Sequence, residues 1–333
     1  VKKSRTMNKI LAFIDLLGFS KMVETDYEKA REILNDFYNI SFRVIKRETR
    51  VNGSLFSDSL LAYSDDYPAL INCITEIYRE CLKKNGTYNH GNDFFLLPRG
   101  AVSVGYLNIE DRQTSPNLTK DFIVSPALVH SAKLEGNIKG SRLLIAVKSD
   151  DEQQVRNIGW NKQIKSILYD NSSFEFWKGY IYKDSLWFLD LSKEDTQQKA
   201  EVIKLIDIAI KLVKENAKKK GAVDQHINTL RIGLLSYTKF LGRENDEVLK
   251  KIIREFEADQ YWLVWLTIIE IIMNSQTEWK YAAVSSIVDF YKKSSLKVGW
   301  IKVLEEINKP GQEYLRKSFS LFLDEMNVAT VDR

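Results

Sequence analysis

The 333-residue chain is 44% hydrophobic and 28% charged, enough apolar material for one large domain or two moderate ones. Its 49 basic and 45 acidic residues leave a net charge of +4, too even to argue for nucleic acid or a membrane surface as a partner. Cys73 and Cys81 fall about 12 Å apart along a predicted helix, too far for a disulfide, and His90, His130 and His226 lack zinc-type spacing. The run at 218–220, three lysines, reads as a solvated helix end.

The basic opening leads into a strand rather than the apolar stretch of a signal peptide. "ILAFIDLL" (10–17) predicts a buried strand ending at Gly18. A helix over 27–46 follows, with Ala30, Ile33, Leu34, Phe37 and Tyr38 on one face. "GSLFSDSLLAYS" (53–64) predicts a β-hairpin turning at Ser57–Asp58–Ser59. A second helix covers 68–86, with proline near its start and glycine at its end. "RGAVSVGYL" (99–107) is a strand, and "SPALVHSAKLEG" (125–136) a helix capped by Ser125 with Pro126 at its first position. "SRLLIAV" (141–147) and "KGYIYKDSLWFLDL" (178–191) add strands. The expected class is α+β, a mainly antiparallel sheet with helices covering one face, over residues 1–192.

From 193 to 333 the pattern becomes purely helical. Val202, Leu205, Ile206 and Ala209 form one apolar stripe, and others run through 245–256, 281–291 and 297–307. A last stripe carries Leu315, Phe319, Phe322 and Met326. This predicts an all-α domain of about six helices. The longest apolar run, 261–273, is shorter than a membrane span and contains Glu270, so it reads as a buried helix. A soluble, cytoplasmic protein with no membrane or nucleic-acid partner is expected.

Asp15 closes an apolar strand, where an unpaired carboxylate costs several kcal/mol. Asp58 sits at the hairpin tip. Two carboxylates at strand ends, without cysteine or histidine companions, suit a hard cation such as Mg²⁺ or Mn²⁺. The following "LLGFS", Leu17 to Ser20, opens a helix whose backbone amides could meet phosphate oxygens. From spacing alone, the plainer reading leads: Asp15 as a solvent-facing strand end and Asp58 as an ordinary turn residue.

"FIDLLGFS" resembles the opening motif of class III adenylyl and guanylyl cyclase catalytic domains, Phe-x-Asp-[Ile/Leu]-x-Gly-Phe-[Ser/Thr]. "LFSDSLLAYS" resembles the Gly-Asp hairpin of that family, with Ser57 in place of the glycine. "RGAVSVGYL", "SPALVHSAKLEG" and "KGYIYKDSLWFLDL" resemble its later strand, helix and terminal hairpin, in the same order over residues 9–191. The resemblance implies a ferredoxin-like cyclase/palm fold. It implies two Mg²⁺ or Mn²⁺ ions held by Asp15, the Leu16 carbonyl and Asp58. The substrate would be a nucleoside triphosphate, bound by Leu17, Gly18, Phe19, Ser20 and Lys183, and cyclised with loss of pyrophosphate. Active domains of this family are head-to-tail dimers, which implies a homodimer.

The chain departs from the family where catalysis is completed. The transition-state asparagine and arginine map onto Val129 and Lys133, leaving His130 and Lys133 as the polar candidates there, with Arg99 at the start of the later strand. Base selection in the family uses a lysine and an aspartate. Here Asn52 and Ser54 occupy the first region, and Asp121 lies one position from the second. The implied activity is therefore a divergent cyclase of unassigned base, a pyrimidine of antiphage type included. The alternative is a cyclase-like module that binds metal–nucleotide and signals through its helices.

Overall fold

Apolar residues at both parities of "ILAFI" demand a strand covered on both faces. The computed structural model describes residues 7–88, 93–111, 121–148, 166–170, 176–216 and 222–240, with isolated positions between 248 and 268. In it that segment is β1 (Met7–Leu16), in the middle of the sheet. β1 pairs antiparallel with β3 (Ser59–Ser64) on one side and β4 (Pro98–Asp111) on the other. β2 (Val51–Phe56) forms a hairpin with β3. The first four strands thus run β2-β3-β1-β4, the order of a ferredoxin-like split β-α-β. β6 (Leu143–Lys148) joins β4 in parallel, and β8 (Tyr180–Ser185) then β7 (Leu168–Asp170) continue antiparallel, while β5 (Asp121–Val124) pairs with the far end of β4. The class is α+β with a mainly antiparallel sheet, as expected.

The helices form where local capping starts them. α1 (Phe19–Thr25) follows Gly18. α2 (Tyr27–Arg47) is capped by Asp26, which accepts from the Lys29 amide at 3.2 Å. α3 (Tyr67–Asn85) is capped by Asp66, and α4 (Pro126–Glu135) by Ser125, which accepts from the Leu128 amide at 3.2 Å. The expectation that helices cover one face is corrected. Ile45 of α2 and Leu60 close on Gly53, and Leu60 shares its face with its partner Ile14. Ala127 and Leu128 of α4 pack instead with Leu11, Phe13 and Leu61, on the opposite face. The two apolar parities of β1 are satisfied by two helical layers.

Two further differences concern β8 and its neighbours. The predicted strand over 178–191 stops at Ser185, and its partners are β6 and β7, both upstream. Trp187, Phe188 and Leu189 instead turn inward as buried core, with the Trp187 indole donating to the Ser141 carbonyl at 3.0 Å. Beside it Arg142 and the fully buried Asp184 form a two-pronged ion pair at 2.8 and 2.7 Å. The chain divides into two compact units, Val1–Gln198 with Asp207–Ile232, and Lys199–Ile206 with Gly233–Arg333. α5 (Asp195–Asn216) and α6 (Ala222–Tyr237) are helical, with Val202, Leu205, Ile206 and Ala209 buried. The lysine run at 218–220 lies outside the described residues, as do His90 and the stripes beyond 280. Among the described residues no helix is long and apolar enough to cross a membrane.

Candidate functional site

Alternation along β1 sends Asp15 out on the α4 face, after Leu11 and Phe13. Its cross-strand neighbours are Ser59 of β3 and Arg99 of β4. The Ser59 hydroxyl donates to Asp15 Oδ1 at 3.0 Å, and Arg99 Nη2 stands 4.0 Å from Oδ2. The carboxylate is only 20% exposed. Burial, then the charges of Asp58 and Glu135, push its pKa up to about 6.

Asp58 comes to Asp15 through the hairpin turn. The Leu16 amide donates to the Asp58 carbonyl at 3.1 Å, locking the turn to the end of β1. In an antiparallel pair a residue's N–H and C=O point to the same neighbour, so the Leu16 carbonyl also faces this turn. Ser57 is the only non-glycine with positive φ among the described residues, at 51°. Its carbonyl accepts from the Tyr38 hydroxyl at 2.8 Å, which pins the left-handed turn to α2. The Ser57 side chain therefore leaves the turn intact, at a conformational cost.

Arg99 links this pair to α4. Its Nε faces Glu135 Oε1, and its Nη1 donates to the Ile138 carbonyl at 3.2 Å. Glu135 was not singled out from sequence. One signal was present: it ends α4, where the helix dipole disfavours a carboxylate. Burial raises its pKa, and Arg99 opposes that rise.

The remaining candidates divide. The Leu17 amide is already given to the Leu97 carbonyl at 2.9 Å and its side chain is buried, so it offers nothing to a phosphate. Gly18 takes a left-handed conformation (φ 74°) that turns the chain from β1 into α1, leaving Phe19 and Ser20 in the first helical turn, where amides lack intrahelical partners. His130 is 2% exposed, with its ring stacked 4.2 Å from Trp177 and edge-on to Tyr180 at 4.3 Å. Burial depresses its pKa to about 4, and Nε2 lies 3.3 Å from the Tyr182 hydroxyl. This is the setting of a packed neutral imidazole. Val129 is exposed, and the Lys133 ammonium lies over the Trp177 ring at 5.8 Å. Asp121 begins β5 opposite Asp111. Lys183 pairs with Ile145, which pairs with Val102 and so with Ala12. Its register puts it on the sheet face opposite to Asp15. The structure thus brings Asp15, Leu16, Asp58 and Arg99 together within one chain, and does not bring Lys183 to them.

The donor set fits a divalent cation. Among the described residues, Asp58 and Glu135 act on Asp15 with negative charge and Arg99 with positive charge. All donors are oxygens, the preference of Mg²⁺ and Mn²⁺. Among the described residues no three His, Cys, Asp or Glu side chains form a ready-made cation cage. Two carboxylates and a carbonyl, completed by waters and substrate phosphate, is how Mg²⁺ is commonly held.

No family model and no curated protein matches the chain. Similar solved structures include the guanylyl cyclase Cya2, at 15% identity and TM-score 0.41, over 54% of this chain and 92% of that one. The adenylyl cyclase CyaB from P. aeruginosa is similar at 13% identity and TM-score 0.39, over 54% and 95%. The guanylate cyclase domain of RhGC from Catenaria anguillulae, in complex with GTP, is similar at 14% identity and TM-score 0.40, over 54% and 96%.

Proposed function

We propose that this chain is a divergent nucleotide cyclase, converting a nucleoside triphosphate into a 3′,5′-cyclic nucleotide and pyrophosphate. The observation that carries the reading is the meeting of Asp15 and Asp58 at adjoining strand ends, where the Asp58 and Glu135 charges act on a largely buried Asp15 carboxylate. The ordered cyclase-like motifs support it. Asp15, Asp58 and the Leu16 carbonyl would hold two Mg²⁺ or Mn²⁺ ions. When bound, such ions lower the pKa of the ribose 3′-hydroxyl and neutralise the triphosphate. The amides of Gly18, Phe19 and Ser20 would face phosphate oxygens. In a head-to-tail homodimer, Lys133 of one protomer would supply positive charge to the site of the other, with residues 193–333 as a separate helical domain. A cytoplasmic location accompanies this reading. The base is unassigned, since neither family base-reading position keeps its residue.

A second reading is favoured by one observation: Val129, which cannot hydrogen-bond, is 52% exposed where the family has its asparagine. On this reading the chain binds metal–nucleotide without turnover and signals through its helices. Incubation of the purified protein with each ribonucleoside triphosphate and Mn²⁺, followed by mass spectrometry, separates the two. The cyclase reading expects a cyclic mononucleotide and pyrophosphate, both absent with Asp58→Ala. Binding without product supports the second reading, and oligonucleotide products contradict both.

A further inference from the structure

We infer that Glu135 is a positioning residue for the cation site, acting through Arg99 to keep Asp15 open to metal. This rests on the cation-site reading of Asp15 and Asp58. Arg99 stands directly opposite Asp15 in the β1–β4 register, and among the described residues its guanidinium is the nearest positive charge to that carboxylate. An arginine so placed would normally close on the carboxylate in a two-pronged pair. Here the contact stays at 4.0 Å, because the guanidinium is drawn the other way. Glu135 Oε1 stands in ion-pair contact with Nε, without hydrogen-bond geometry, and Nη1 donates to the Ile138 carbonyl, just beyond the end of α4, at 3.2 Å. Both holds come from the end of α4 and the residues after it.

Glu135 is poorly placed for stability alone. It is buried, and it ends a helix whose dipole opposes its charge. Asp15 and Glu135 therefore compete for one guanidinium, and Glu135 wins it. Among the described residues, Asp15 Oδ2 meets no cation nearer than the Arg99 guanidinium at 4.0 Å. Without the Glu135 charge, Arg99 would close on Asp15 and occupy the place of the incoming metal.

A double-mutant cycle on the full chain, read as Mn²⁺ affinity by the loss of the free-ion electron paramagnetic resonance signal, tests this. Glu135→Gln should weaken Mn²⁺ binding about tenfold, the scale of coupling within one ion-pair network. In an Arg99→Met background, where there is no guanidinium to release, the same change should cost only about threefold, the part due to lost negative charge. Equal losses in the two backgrounds would overturn the inference, as would no loss in either. If Glu135→Gln fails to fold by circular dichroism, Glu135→Asp replaces it, with a smaller coupling of the same sign. Failure of the underlying reading looks different. In that case the unmutated chain binds no Mn²⁺ that Asp15→Asn removes, and the inference falls with it.

Discussion

Replacing Asp15 with asparagine should stabilise the protein at neutral pH while removing its capacity to bind a divalent cation. The carboxyl pKa rises from 3.8 to about 6 on folding, first through burial and then through Asp58 and Glu135. A group whose folded pKa lies above its unfolded value favours the fold when protonated. That contribution is complete below pH 3.8 and is lost as pH rises through about 6. The loss approaches about 3 kcal/mol, from roughly two units at 1.36 kcal/mol each. Asparagine carries no charge at any of these pH values, and its carbonyl can still accept from the Ser59 hydroxyl. Urea unfolding in EDTA at pH 4 to 8 gives the test as a difference curve between variant and parent. The variant should gain from pH 4 to 7 and then level off. Mn²⁺ at pH 7 should stabilise the parent and leave the variant unchanged. A variant less stable than its parent at pH 7 in EDTA, or a difference independent of pH, would refute the electrostatic account of Asp15.

Other substitutions probe how the site is held. A Cβ on Gly100 would lie 2.3 Å from the Phe13 carbonyl and 2.5 Å from Ile14 Cδ1, so Gly100→Ala must push β1 aside. It should cost about 1–3 kcal/mol in urea unfolding and weaken Mn²⁺ binding in parallel. Ser57→Gly relieves the positive φ and should raise stability by up to about 1 kcal/mol, with Mn²⁺ affinity unchanged. Asp184→Asn leaves the buried Arg142 guanidinium without its counter-charge and should cost about 3–5 kcal/mol. His130 is held neutral, so its contribution is present above pH 6.5 and lost as pH falls through about 4. His130→Phe should flatten that acid loss in unfolding curves without altering Mn²⁺ affinity.

What the sequence could reveal was local. The apolar face of 27–46, the cap Ser125 with Pro126, and the Ser57–Asp58 turn depend on neighbours within a few residues, and α2, α4 and the hairpin lie where those signals put them. The two apolar parities of "ILAFI" already called for helices on both sides of the sheet, although the element order suggested one. β5 and β7 were missed because strands this short carry little periodicity. Trp187 looked like a strand residue because its apolar neighbours suit a strand as well as a buried turn. At the site, Asp15 and Asp58 were legible through motif and spacing. Their electrostatic setting was not, because Glu135 reaches Asp15 only through the tertiary packing of α4 on β4. The face of Lys183 likewise required the register of three strand pairs.

Equilibrium dialysis of a non-hydrolysable nucleoside triphosphate against the full chain, with and without Mn²⁺, tests the central claim most directly. Triphosphate should be retained only with Mn²⁺, and retention should vanish in both Asp15→Asn and Asp58→Asn. Retention that needs no Mn²⁺, or that survives either substitution, would contradict the assignment of these two carboxylates as the metal–nucleotide site.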